Sequence, residues 1–447
     1  MAPLILYAAA APARIEAIDA TTRIYVGSPR VTQTPPSVHP DDLKKVLTLV
    51  LAGGRGRRLD PLTRHMPKPA IPFGGTFRII DFTLANCVNS GLRHIYVLTQ
   101  YQSSVLMRHV RHGWDLFSPD LGEYIYTFPP QLAQVEVGYQ GTADAIYQNL
   151  YMLEGEKREH LLVLSGDHIY RMDYRDLLAQ HLSSNADATL AVTRVPAADA
   201  HQFGVIEINE GNRITKFREK PQDLDPKSPP QLVNMGIFLF RSAVLLEAAA
   251  RDAGIAASRH DFAYNLVPDL VEQGAKVMAF PFARSAGEKP APYWRDIGTL
   301  DGYFEANMDL VDVSPLFNLY DHLWPIRSAP IQAPPAKFVF SGGEGRIGHA
   351  VDSLVSHGTI VSGGQVWRSI VGPSARINSW AKVEDSILLN GVEIERHCVV
   401  RRAIVDRDVK VPTGTQIGVD HAADEKRFTV TPKGIVVVTS EALARPK

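Results

Sequence analysis

Cysteine is almost absent: Cys87 and Cys398 are the only two in 447 residues. They stand far apart and fit no metal-ligand spacing. That excludes a disulfide framework and a zinc cluster, and it fits a reducing, cytoplasmic setting. No apolar run approaches the roughly 20 residues of a membrane span, so no membrane partner is expected. Charge of one sign is not in excess either, with 47 Lys and Arg against 48 Asp and Glu. Nothing therefore points to nucleic acid or an anionic surface as the main partner. The N-terminal MAPLILYAAAAPARIEA has Ala-x-Ala spacing but lacks the basic n-region of a secretory signal. Residues 1–41, including the linker-like QTPPSVHP, are expected to form a disordered extension.

What remains is ordinary globular composition, 45% apolar and 21% charged, long enough for two or three domains. Over 42–327, β-rich runs alternate with helical patterns. VLTLVLAG, HIYVLTQ and HLLVLSGD read as near-continuous apolar strands, the pattern of strands buried on both faces. DFTLANCVNSG, TADAIYQNLYMLE, FAYNLVPDLVEQG and LDGYFEANMDLVD read as helices, the first closed by Gly91 as a C′ residue. Such alternation predicts an α/β layer on a mostly parallel sheet.

From 328 to 447 helical periodicity is gone. Aliphatic residues step by six within triplets and by five between them. The triplets are Leu354, Ile360, Val366; Val371, Ile377, Val383; Leu388, Ile394, Val400; and Val405, Val411, Ile417. A repeat of 17 with three inward positions predicts a β-helix whose coils stack like on like. Such solenoids often pair across subunits, so an oligomer is expected.

The chemistry concentrates in LAGGRGRRLDPLTRHMPKPAIPFGG, from Leu51 to Gly75. It follows a strand, yet no Gly-Lys-Ser/Thr makes it a Walker loop and no third glycine makes it a dinucleotide fingerprint. Glycines let backbone N–H groups approach phosphate, and arginine supplies charged forks for its oxygens. Lys68 is a point charge fixed between two prolines. A nucleoside triphosphate is the expected ligand. Asp167, after the strand HLLVLSG, and Asp296, in PYWRDIGTL, are candidate Mg²⁺ ligands. Taken singly, each also reads as a cap or surface acid, Lys220 as a solvated charge, and His168 as a packed histidine.

Together these stretches resemble the sugar-nucleotide pyrophosphorylases, most closely the ADP-glucose pyrophosphorylases of bacterial glycogen synthesis. GGRGRRL and PKPAIPFGG carry the wider likeness, and FRIIDF, TQYQS, GTADA and YWRDIGTL carry the narrower one. The resemblance implies a Rossmann-like nucleotidyltransferase domain followed by a left-handed β-helix, and a homotetramer. It implies ATP and glucose 1-phosphate as substrates. Arg58, Lys68 and Asp167 would be catalytic, and Asp167 and Asp296 would hold Mg²⁺. Leu51, Ala52, Gly53, Gly54, Gln100, Gly141 and Thr142 would lie around ATP. Tyr139, Gly204, Glu219, Lys220 and Asn234 would contact glucose 1-phosphate. His65-Met66 stands where the family carries basic effector-binding residues, and Gly138 stands where Trp is common. Anionic effectors would then use Arg64, His65 or Arg78. Related enzymes using another nucleotide, and a non-catalytic regulatory homologue, are the competing expectations.

Overall fold

A computed structural model describes residues 38–130, 138–282, 293–340 and 346–444. The expected disorder of the N-terminal extension falls outside them up to residue 37, and residues 40 and 41 already belong to a short helix, Pro40–Lys44. The predicted apolar strands assemble into a nine-stranded sheet. Val46–Ala52 lies at its centre, parallel to His94–Thr99 on one side and to His160–Ser165 on the other. Tyr124–Phe128 continues the parallel half. Beyond His160–Ser165 the long strand Gln231–Arg241 runs antiparallel and joins Ala188–Val195 and Gly204–Ile208. The sheet is therefore mixed, parallel where the glycine turn emerges.

Its central strands are apolar on both faces because both are covered. Val46, Val50, Val97 and Leu164 face one buried cluster. Leu47, Leu49, Leu98 and Val163 face the other. Helix Ile79–Asn89 ends as its sequence predicts. Gly91 has φ +87°, and the Leu92 N–H reaches back to the Cys87 carbonyl at 3.0 Å. Two predicted helices are interrupted. Residues 142–154 form Thr142–Tyr147 and Leu150–Gly155. Residues 262–272 begin as a π turn, Phe262–Leu266, before Val267–Glu272, where Pro268 has no N–H to give to a regular ladder.

Three sheets of short strands, parallel except where Thr429–Val430 pairs antiparallel with Val436–Val438, wind the C-terminal region into the β-helix. Val371, Leu388 and Val405 stack in register, as do Ile377, Ile394 and Val411. The first coil departs from the predicted register. Val355 pairs with Val371 and Val361 with Ile377, so Val355 and Val361 take the inward positions expected for Leu354 and Ile360. That coil is one residue short. Inward positions alternate with outward Ile370, Ile387 and Ile404, and these join the core beneath the large sheet. One flank of the β-helix is thus apolar inside and out.

Candidate active site

Val46–Ala52 releases the glycine-rich turn at the C-terminal edge of the sheet. Gly56 is required there for two reasons: its φ is +69°, and a Cβ would come within 2.8 Å of the Lys68 Cβ. At Gly54 a Cβ would meet nothing within 4 Å. The fold does not demand glycine at 54, and the space it leaves belongs to a cleft of about 740 Å³. The cleft is lined by Leu51, Gly53, Gly54, Arg58, Lys68, Gln100, Tyr139, Gly141, Thr142 and Asp167, with Arg55 and Arg57 from the same turn. Ala52 is buried in the strand beneath it.

Lys68 opens a 3-10 turn behind Pro67. Its buried ammonium lies 2.7 Å from Asp167 Oδ2 and 3.3 Å from Asp296 Oδ1. Asp167 follows the end of His160–Ser165. Asp296 is brought beside it by a two-stranded ladder in which it pairs with His168. The sequence separates these acids by well over a hundred residues, and that ladder joins them. Ser165 Oγ donates to Asp167 Oδ1 at 2.5 Å. Burial alone would raise the Asp167 carboxyl, but the Lys68 charge, His168 and these hydrogen bonds outweigh it and hold the carboxyl well below the usual range. Burial opposes the Lys68 charge too, yet the two carboxylates keep its pKa above the ordinary lysine value.

Ligand atoms of Asp167, His168 and Asp296 all lie within 4.8 Å of one another. Two carboxylates are hard oxygen donors that suit a divalent cation, and the Lys68 ammonium between them is a stand-in for such a charge. Arg58 points the same way: a Cβ on Gly298 would sit 3.0 Å from Asp296 Oδ2 and 3.2 Å from Arg58 Nη2.

The expected sugar-phosphate residues form a second group. Gly204 and Glu219 pair across antiparallel strands, and a Cβ on Gly204 would strike Glu219 Oε2 at 2.7 Å. Lys220 Nζ lies 3.0 Å from Glu219 Oε1 and 5.7 Å from the centre of the Tyr264 ring. Burial raises the Glu219 carboxyl, against the pull of Lys220. Asn234 Oδ1 accepts from the Gly236 N–H. None of these four lines the cleft, whereas Tyr139 does. The wall also holds residues that were not anticipated, Asp261 and Ser165 among them. Asp261 accepts a hydrogen bond from Thr142 Oγ1, and Ser165 holds Asp167. Ser165 was legible, since a strand's period of two sets it on the same side as Asp167.

The three effector candidates do not share one partner. Arg64 is bound to Asp60 and, at 2.5 Å, to Glu441 near the end of the chain. His65 Nε2 lies 3.9 Å from the other Glu441 oxygen. Arg78 donates to the Ala70 carbonyl. Burial and the like charge of Arg407 lower its pKa, against the pull of Asp81.

Comparison with known proteins places this geometry. Residues 47–313 match the nucleotidyl transferase family model, and residues 334–438 match the GlmU-like C-terminal hexapeptide model. A glucose-1-phosphate adenylyltransferase of Koribacter versatilis is 47% identical over 89% of this chain and 96% of its own length. Those of Rhodopirellula baltica and Methylococcus capsulatus are 47% and 46% identical over 91% and 90% of the chain, and over 93% and 95% of their own lengths. The chain belongs to the nucleotidyl transferases and, within them, to the glucose-1-phosphate adenylyltransferase family.

Proposed function

We infer that the protein is a glucose-1-phosphate adenylyltransferase, joining ATP and α-D-glucose 1-phosphate to give ADP-glucose and diphosphate for glycogen synthesis. The observation that carries this reading is the buried Lys68 ammonium between Asp167 and Asp296, at the foot of a glycine and arginine turn. A phosphate oxygen of the sugar phosphate attacks the α-phosphorus of ATP, the new P–O bond forms in line, and diphosphate leaves. The nucleophile is largely dianionic near neutral pH, since its second pKa is about 6. No side chain is needed to remove a proton, and the work is orientation and charge neutralisation.

In this reading Leu51 to Gly54 cradle the nucleotide with main-chain groups, and Arg58 and Lys68 offset the triphosphate charge. Gln100, Gly141 and Thr142 wall the nucleotide. Glu219 orients Lys220 onto the phosphate of the sugar, while Tyr139, Gly204 and Asn234 shape the sugar side. Mg²⁺ is the cation we assign to Asp167 and Asp296, and when bound it supplies charge neutralisation to the phosphates. A homotetramer and an anionic effector complete the proposal. Arg78 with Arg407 is favoured for the effector because Arg407 Nε is buried without a hydrogen-bond partner among the described residues and reaches Asp406 only at 3.8 Å, while Arg64 is hydrogen-bonded to both Asp60 and Glu441.

Diphosphate release with ATP, UTP, dTTP and GTP in turn tests the reading. ATP should be used at least tenfold better than the others, and a preference for another nucleotide would refute it. Asp167→Asn should lower turnover by about a thousandfold with the fold intact, and unchanged turnover would remove Asp167 from the chemistry.

A further inference from the structure

Helix Ser242–Ala253 carries an acid in its last turn, Asp252. A carboxylate there faces the negative end of the helix, and it is also buried, so two effects work against it. Its partners account for it. Asp252 Oδ1 accepts from Ser258 Oγ at 2.6 Å, and Oδ2 lies 2.9 Å from His260 Nδ1. The Ser258 hydroxyl in turn accepts the His260 N–H at 2.9 Å. Side chain and backbone of His260 are therefore both held by one carboxylate, directly and through one hydroxyl.

The held residue has an unusual backbone, with φ +51°. A non-glycine residue stays in that region only when its surroundings impose it. That conformation aims the His260 carbonyl at the amides of Ala143 and Asp144, at 2.8 and 3.4 Å. These open the helix Thr142–Tyr147, whose N-cap residue Gly141 offers no side-chain bond. The carbonyl from a distant segment thus does a cap's work. The fit is close enough that a Cβ on Gly141 would come within 2.1 Å of His260 O. Next along, Asp261 accepts the Thr142 hydroxyl at 3.1 Å. Gly141 and Thr142 line the cleft.

We propose that Asp252 and His260 are positioning residues for ATP: the carboxylate locks residue 260 in its left-handed conformation, and the 260–261 backbone then fixes the Gly141–Thr142 wall of the nucleotide site. This rests on the reading above that Gly141 and Thr142 contact the nucleotide.

Steady-state kinetics of the full-length enzyme test it. Asp252→Ala should raise the KM for ATP about five- to tenfold, with the KM for glucose 1-phosphate and kcat each changed less than about twofold. His260→Gly should sit near wild type, because glycine takes a positive φ without help, while His260→Val should resemble Asp252→Ala. A purely structural role would lower the melting temperature and the active fraction of all three alike, and would leave both KM values unmoved. Asp252→Asn, which keeps an acceptor for Ser258, should recover most of the ATP affinity, measured as ATP binding by calorimetry should any variant prove too slow to assay. An unchanged ATP affinity in Asp252→Ala, beside a raised KM in Thr142→Ala, would overturn the positioning role alone. An unchanged ATP affinity in Thr142→Ala would overturn the nucleotide-wall reading and this inference with it.

Discussion

At the scale of single residues, glycines in one short turn do different jobs. Gly56 serves the fold: its φ is positive, and Lys68 leaves no room for a Cβ. Gly56→Ala should cost about 1–2 kcal/mol from the left-handed backbone alone, seen as a lower melting temperature. Gly54 serves the cleft, with open space in front of it. Gly54→Ala should leave the melting temperature within a degree or so of wild type, since stability should move by about 0.5 kcal/mol or less. It should nonetheless weaken ATP about tenfold. Equal loss of stability in both variants would remove the distinction. The sequence marked the turn as a candidate phosphate cradle but could not divide the labour, because that depends on Lys68 standing behind residue 56. It likewise named Asp167 and Asp296 without joining them. Their meeting rests on three paired residues, Trp294–Asp296, against His168–Tyr170, a pairing too short to leave a periodic trace.

At the scale of elements, buried polar groups fix how helices dock. Asp81, in the first turn of Ile79–Asn89, is fully buried and accepts from four groups. These are the Arg78 N–H, His109 Nε2, Trp114 Nε1 and Ser328 Oγ. One carboxylate ties the helix to Ser103–Gly113 and to the segment leading into the β-helix. Asp81→Ala should therefore destabilise by about 3–5 kcal/mol and cut soluble yield, while a loss under about 1 kcal/mol in denaturant titration would deny it this role. His181, in helix Tyr174–Ser183, behaves oppositely. Burial first, then His160 and Arg241, push its pKa down to about 3, and its Nε2 has no hydrogen-bond partner among the described residues. The folded state keeps it neutral, whereas the unfolded chain binds a proton below about 6.5. Stability from this group is present above that pH and is lost as pH falls toward 3. Between pH 6.5 and 5 the loss should reach about 2 kcal/mol, and His181→Gln should flatten that part of the stability profile. Element type was largely legible from apolar periodicity, and element continuity was not. At residues 354–355 and 360–361 two aliphatics stand side by side, so counting by six could not tell which one faces inward. Stacking on Val371 and Ile377 decides it.

At the scale of the molecule, the β-helix is a structural partner of the sheet rather than an appendage. Ile370, Ile387, Ile404 and Val437 share one buried cluster with Ile79, Phe82 and Leu310, and Arg64–Glu441 and Arg368–Asp312 cross the same boundary. Ile387→Asp would bury an unpaired charge at that seam and should unfold both halves in one transition at lower temperature; two separated transitions would show that the halves are independent. The same seam holds the Arg78 and Arg407 cations, one from each half. The charge of Arg407, with burial, lowers the pKa of Arg78; an anion set between the two would relieve that repulsion and draw the β-helix toward the turn that carries Lys68 and the helix that begins after Arg78. On that basis a sugar phosphate or a similar anion should change the KM for ATP or kcat severalfold, an effect screened by salt. Arg407→Ala should abolish the response while leaving the effector-free rate near wild type, because Arg407 lies outside the cleft. Arg64→Ala should keep the response, since Arg64 is already spoken for by Asp60 and Glu441. A response that survives Arg407→Ala and vanishes in Arg64→Ala would move the effector from the Arg78–Arg407 pair to Arg64.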